Sequence, residues 1–262
     1  NALAAFSLRK LRTAYTGDAI QVRNASNIDA DIGFDSDGNL DTGTLLGHTG
    51  IGGSDYGYIQ TWYDQSGGGN DLTQTADANQ PIIVNAGSVN TTNGKSSISM
   101  DGAVGTQLNM VGSSVFKANT DEVNHYSVQN INNSDALSLF AQGGSHGSVY
   151  YMVWEDSATS TATSANCGTI IYYKNGSSVG TTGTITRGTL FTQFATSTQT
   201  LATLTDLDMQ YFTDAAGQQF ELSGYPSYEF IGDIQELIFW RGSDLPTQAD
   251  AESNINSYYS IY

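Results

Sequence analysis

Apolar and polar residues alternate in short runs along most of this chain, the period of strands with one face buried. Ala4, Phe6 and Leu8 alternate within NALAAFSLRKLRTAY (1–15), although Leu8–Arg12 is equally open to a helical turn. Ala19–Arg23 follows the Thr16-Gly17-Asp18 turn, and Tyr58–Tyr63 alternates aromatic and β-branched residues with polar ones. Gln80–Val84 reads as a strand entered through Pro81 at a sheet edge. Ser97–Met100 is a strand closed by Asp101-Gly102. From 121 onward the spacing predicts strands over His125–Val128, Ala136–Phe140, Ser148–Trp154, Thr169–Lys174, Thr189–Thr196 and Asp208–Phe212. Turn signals at Gly143-Gly144 and Asn175-Gly176 separate them. Ser157–Ala165 (SATSTATSA) reads as a polar, insert-like loop. Phe230–Trp240 is too apolar for a face open to water, and Trp62 and Trp240 are expected in the core. The period then changes: Thr247 with Asp250 makes a helix start, and Ala251, Ile255, Tyr258 and Tyr259 share one stripe. The pattern predicts an all-β sandwich of two antiparallel sheets with a short C-terminal helix docked on it. With no fixed-period repeat and no linker, residues 1–262 read as a single domain, part of a longer protein since the chain starts inside a patterned segment without Met or a leader.

The stretch YIQTWYDQSGGGNDLTQ (58–74) breaks at Asp64–Asp71 between two extended runs. Three consecutive glycines allow positive φ, and Asp64, Asn70 and Asp71 can accept from turn N–H groups. A phosphate loop would need Lys-Ser/Thr after the glycines and then a helix, and neither is present in the sequence. The turn is expected to be structural.

Composition narrows the partners. The 29 glycines suit many strands and tight turns, and 262 residues bury a core without staples. Nine Lys+Arg against 26 Asp+Glu give a net charge of −17, which repels nucleic-acid phosphate and anionic membrane. No apolar run reaches bilayer-spanning length, so membrane insertion is not expected either. Four of the nine basic residues fall within the first 23 positions, where pairing with carboxylates is favoured over a docking patch. Cys167 is the lone cysteine, so no intramolecular disulfide forms, and a small buried hydrophobe is its expected role. His48, His125 and His146 lack metal-ligand spacing, and no G-x-S-x-G elbow is present.

Two groups of residues are candidates for binding. Asp35, Asp37 and Asp41, with Gly38 and Asn39 between them, faintly resemble a calcium loop, but the twelfth-position Glu and flanking helices are missing and Asp37-Gly38 also suits a hairpin turn, which is favoured. Sugar recognition needs exposed aromatic rings beside amides and carboxylates. Tyr151, Trp154, Glu155 and Asp156 in VYYMVWEDS offer this at a strand end, while period two also allows Tyr150, Met152 and Trp154 to point into the core. Tyr225 and Tyr228, around Pro226, are loop-borne candidates.

TWYDQSGGGND (61–71), NQPIIVNAGSV (79–89), NGKSSISMDG (93–102), YYKNGSSVG (172–180), FIGDIQELIFW (230–240) and the closing INSYYSIY together resemble a concanavalin A-like, laminin-G-type jelly roll. The opening segment, DIGFDSDGNLDT and YDQSGGGND are similar to modules of phage tail and other structural proteins and of bacterial surface proteins. The same turn occurs in arabinofuranosidase B-type catalytic domains, which share the sandwich. That resemblance implies a Glu nucleophile in an IMxDMEN-like pattern, where Lys174 or Asn175 stands here, and an Asp acid in a GGDN-like stretch, absent from 222–229. The vicinal cysteine pair is also missing, and Glu155, Asp156, Glu221 and Glu229 remain as substitutes. The expectation is therefore a non-catalytic module of a virion (tail, fibre or capsid spike) or cell-surface protein that binds a glycan and neighbouring structural subunits, as a homo-oligomer in one version. No cofactor is expected beyond calcium. The alternatives are an arabinofuranosidase-type glycoside hydrolase and a purely structural virion assembly protein.

Overall fold

The computed structural model describes residues 2–101, 106, 108–110, 122–131, 137–142, 152–155, 161–163, 171–181, 200–208, 220–222, 230–241 and 246–262. The first half contributes β1 (Ala4–Ser7), β2 (Ile20–Asn24), β3 (Asp29–Ile32), helix α1 (Thr42–Thr49), β4 (Gly57–Trp62), β5 (Leu72–Thr73), β6 (Ile82–Asn85), β7 (Ser88–Val89), β8 (Thr91–Thr92), β9 (Lys95–Ser96), β10 (Ile98–Asp101) and β11 (Leu108–Met110). The second half contributes β12 (Glu122–Ile131), β13 (Leu137–Gln142), β14 (Met152–Glu155), β15 (Thr161–Thr163), β16 (Ile171–Lys174), β17 (Ser177–Thr181), β18 (Thr200–Asp208), β19 (Phe220–Leu222), β20 (Ile231–Arg241) and helix α2 (Gln248–Tyr259).

The chain is an all-β sandwich of two antiparallel sheets with a short C-terminal helix. One sheet runs β17-β16-β18-β12-β20-β1, with β10 continuing the line of β1 along the first half of β20. The other runs β3-β2-β4-β5-β11-β19-β13-β14-β15, with β6 beside the start of β4. A single pairing, Ser99 with Ile82, links β10 to β6 where the two sheets meet.

Between the sheets lies a core that includes Phe6, Ile20, Ile59, Trp62, Leu108, Leu222, Leu237 and Phe239. A second cluster, Ala5, Tyr126, Val128, Leu201, Ile238, Ile255 and Tyr259, lies on the outer face of the first sheet beneath α2. This explains why β1 is buried on both faces: Ala4 and Phe6 enter the sandwich while Ala5 meets the helix side. Truncating a side chain such as Phe6 to Ala costs about 3–5 kcal/mol. Thr247 caps α2 by accepting from Asp250 N, as the sequence predicts, and Ile255 and Tyr259 are buried with Ala251 and Tyr258 packed beside them.

Several expectations are corrected. Leu8–Arg12 forms no helical turn; Arg9 bridges Asn39 as extended backbone. Within the expected loop 157–165, Thr161–Thr163 is a strand paired with Met152–Trp154, because β-branched residues fit an edge that β14 leaves open. Trp62 is fully buried, but Trp240 is only partly buried against the helix-side cluster. Thr200–Asp208 is a strand that was not anticipated; of the strand expected at Asp208–Phe212 all but Asp208 lies outside the described residues, as do Thr189–Thr196, Cys167 and His146. Helix α1 was not anticipated; Asp41 caps it by accepting from Thr44 N, and Leu45 anchors it in the core.

Candidate functional site

The turn after β4 is a clamp on β1. Asp64 Oδ1 accepts from Ala5 N (2.9 Å) and Ser66 N (2.8 Å), and Oδ2 accepts from Ser66 Oγ (2.7 Å), Asn70 N (3.1 Å) and Asn70 Nδ2 (3.2 Å). Asp71 accepts from Asp64 N, and Gln65 donates to the carbonyls of Ser7 and Arg9 while accepting from Leu11 N. Gly67 (φ 90°) and Gly69 (φ 70°) take the positive φ that the turn needs. Beside it, buried Glu236 accepts from Arg9 Nε (2.7 Å), Arg9 Nη2 (2.9 Å) and Ser7 Oγ (2.7 Å). Burial works against the Arg9 cation, but the Glu236 carboxylate outweighs it and raises the pKa above the ordinary value. Two of the four basic residues of the first 23 positions pair with carboxylates: Arg9 with Glu236, and Arg23 with Asp77 at 3.5 Å. These groups hold the fold and are closed to substrate.

The outer face of the second sheet is different. Its inner face is apolar, so the cross-strand partners of the opposite parity face outward. They form one lateral row: Asp31–Gln21, Gln21–Thr61, Thr61–Thr73, Thr73–Asn109 and, by backbone register, Asn109–Glu221. From Asp31 to Asn109 this crosses five strands, about 19 Å at the usual strand spacing. At one end Tyr63 Oη donates to Asp31 Oδ1 (2.7 Å) and Gln21 Nε2 donates to the same oxygen (3.1 Å). Burial, reinforced by Asp31, raises the Tyr63 pKa, so the phenol stays a donor. Tyr56 and Tyr58 stack with centroids 6.1 Å apart, and the Arg23 guanidinium lies 4.5 Å over the Tyr58 ring. Arg23 is itself fixed by Gln80 Oε1 (2.8 Å) and Asn27 Oδ1 (2.7 Å). At the other end Asn109 Oδ1 is buried and has no hydrogen-bond partner among the described residues. An orphaned acceptor of this kind costs about 1–3 kcal/mol unless something donates to it. The row therefore offers fixed rings, amides, hydroxyls and a carboxylate, the groups that engage sugar faces and hydroxyls.

The structure places the residues expected from the sequence unevenly. Trp154 and Glu155 belong to β14 of this same sheet, and Glu221 to β19, two strands from β14 across β13. Tyr151, Asp156, Tyr225, Tyr228 and Glu229 lie outside the described residues. Asp35 and Asp41 serve local geometry. Asp35 accepts from Asp37 N (2.9 Å), Asn39 N (2.8 Å) and Asn39 Nδ2, and the Asn39 backbone bond foremost holds its pKa below the ordinary carboxylate range. Asp37 sits exposed at the turn, which Phe34–Leu40 and Asp35–Asn39 close in hairpin fashion. Among the described residues no group of three His, Cys, Asp or Glu side chains is arranged to hold a metal ion. Sequence reasoning missed Gln21, Tyr56, Tyr58, Tyr63, Thr73 and Asn109 as binding candidates. The polar half of each period-two run was the available signal, but the pairing of β5 with β11 was not readable from it.

At the position where the resemblance implies a nucleophile, Asn175 is the left-handed (φ 49°) first residue of the Asn175-Gly176 turn joining β16 to β17. Its side chain accepts from Leu201 N (2.9 Å). Among the described residues, no helix is long and apolar enough to cross a membrane.

No family model and no curated protein matches this chain. Solved structures do. A GH54 α-L-arabinofuranosidase soaked with a cyclic sulfate inhibitor matches with a TM-score of 0.59 and 15% identity, over 99% of this chain and 62% of that one. A mutant GH54 arabinofuranosidase soaked with 4-nitrophenyl α-L-arabinofuranoside matches with a TM-score of 0.60 at 15% identity over the same shares. An arabinofuranosidase complexed with arabinofuranosyl-α-1,2-xylobiose matches at 0.53 and 14%, again over 99% and 62%. The chain thus spans about three fifths of the length of these enzymes and shares their sandwich fold.

Proposed function

We propose that this chain is a carbohydrate-binding module that engages a glycan on the outer face of its second sheet without cleaving it. The observation that supports this reading best is the row from Asp31 to Asn109, polar along its whole length, edged by fixed tyrosines and ending in an orphaned acceptor. The likeness to arabinofuranosidases at the level of fold agrees with a glycan as ligand. The resemblance to phage and bacterial surface modules suggests display on a virion or cell surface, with neighbouring structural subunits as further partners. Titration of neutral arabinan- and xylan-derived oligosaccharides by calorimetry tests the reading. Binding that Tyr63→Ala and Asn109→Ala both weaken supports it, and no heat with any glycan refutes it.

Glycoside hydrolysis is the second reading, favoured by the same fold likeness. A retaining enzyme needs two carboxyl groups about 5–5.5 Å apart. The turn position of Asn175 and the lack of a carboxylate there argue for the binding module. Release of 4-nitrophenol from 4-nitrophenyl α-L-arabinofuranoside, abolished by Glu221→Gln or Glu155→Gln, would establish the enzyme instead.

A further inference from the structure

A cleft of about 270 Å³ lies away from that sheet face, between the Asp35–Leu40 turn, the β8–β9 hairpin and the end of α2. It is small beside the roughly 300–1,000 Å³ of drug-sized ligand sites, so it suits one sugar residue and not a chain. Leu8 and Leu40 form its apolar wall, and Tyr258 is held by donating to Asn39 Oδ1 (2.7 Å). Beneath it, Arg9 lies 5.1 Å from the Tyr258 ring centroid, but its charge is matched by Glu236. Lys95 is not matched in this way. Its Nζ sits 4.0 Å from the Tyr258 centroid, and no described carboxylate pairs with it, in a chain with 26 Asp+Glu to choose from. Thr42 and Ser96 also line the cleft, and neither hydroxyl makes a hydrogen bond among the described residues. Asp35, the acid in the lining, already accepts three N–H donors from its own turn.

The geometry points to a second binding site here, for a saccharide carrying a carboxylate, such as a uronic acid residue. The carboxylate meets the Lys95 ammonium, a charge-assisted contact stronger than a neutral one. Thr42 and Ser96 take ring hydroxyls. Lysine's flexible stem lets the ammonium swing from the Tyr258 ring to the ligand. In so acidic a protein, a ligand anion is attracted only at short range, because charges beyond about 8 Å are screened at physiological salt.

The test is calorimetric titration of the full chain with galacturonate and with its methyl ester, with sodium acetate as a bare-carboxylate arm. The acid form is expected to bind, and the ester to bind at least about tenfold more weakly. Lys95→Met is expected to lose the acid form without shifting the melting temperature, and Lys95→Arg to keep it. Tyr63→Ala, on the distant sheet face, is expected to leave it unchanged, so failure of the glycan reading there does not decide this one. Equal binding of acid and ester, competition by acetate at equal concentration, indifference to Lys95→Met, or no binding of the acid form overturns the proposal.

Discussion

The clamp at Asp64 and the row on the second sheet use the same kinds of side chain to opposite ends. At the clamp, both carboxylate oxygens of Asp64 and both ends of the Gln65 amide meet partners from this chain, and four of those partners are backbone of β1 or its continuation. In the row, Tyr63 and Gln21 share one oxygen of Asp31, and Asn109 Oδ1 has no hydrogen-bond partner among the described residues. Polar groups satisfied inside the chain fix a fold; a buried polar group without a partner is the exception that calls for an explanation. The same contrast separates Arg9, closed by Glu236, from Lys95 over Tyr258.

The largest effects should come from opening a closed group. Glu236→Ala strands Arg9 in the interior and should cost about 3–5 kcal/mol, whereas Arg9→Met with Glu236→Leu should fall close to wild type. Urea midpoints of the three proteins check this. If the single and double variants lose the same stability, the pair is not the closed unit described.

His125 tests burial by pH. It is fully buried against Phe239, and burial lowers its pKa to about 3. The folded state therefore binds fewer protons than the unfolded state below the ordinary histidine pKa. Stability is complete above pH ~6.5 and declines as pH falls toward 3, by roughly 4 kcal/mol from this residue. Glu252 works in the other direction: burial raises its pKa, so its contribution is complete below the ordinary carboxyl value and is lost as pH rises through the raised one. Melting temperatures from pH 3 to 7 should show a shallower acid limb in His125→Phe and a neutral-pH gain in Glu252→Gln.

Asp64→Ala leaves several turn N–H groups unmet and should cost about 3 kcal/mol while leaving glycan affinity unchanged. Asn109→Ala should do the reverse, weakening glycan binding about tenfold with the urea midpoint preserved. If Asn109→Ala costs stability instead, the row belongs to the scaffold and the contrast fails. The smallest effect concerns Asp35: because its carboxylate already serves the turn, chelation with EDTA should leave the melting temperature unchanged.

Much of the local architecture was legible in residue order. Asp64 reaches Ser66 and Asn70, Thr247 reaches Asp250, and Asn175-Gly176 turns between adjacent strands, all within a few residues. Alternation exposed β1 and β4 because their apolar sets repeat at period two, and β20 stood out as a run too apolar for a face open to water. Helix α1 was hidden because eight residues that include Gly43 and Gly47 show no stripe, and Leu45, with Leu46 packed beside it, commits it to the core. Thr161–Thr163 was hidden because nothing in a Ser/Thr tract says which edge it will meet.

The sequence by itself determined that this is a glycine-rich, acidic, all-β chain with a capped terminal helix, since propensity, period and turn chemistry act over short spans. Only the tertiary structure decided that Arg9 would find Glu236 across 227 positions and that Gln21, Thr61, Thr73 and Asn109 would share one face. Strand order and register arise from non-local pairing and from burial of the opposite face, and neither is written in any one segment.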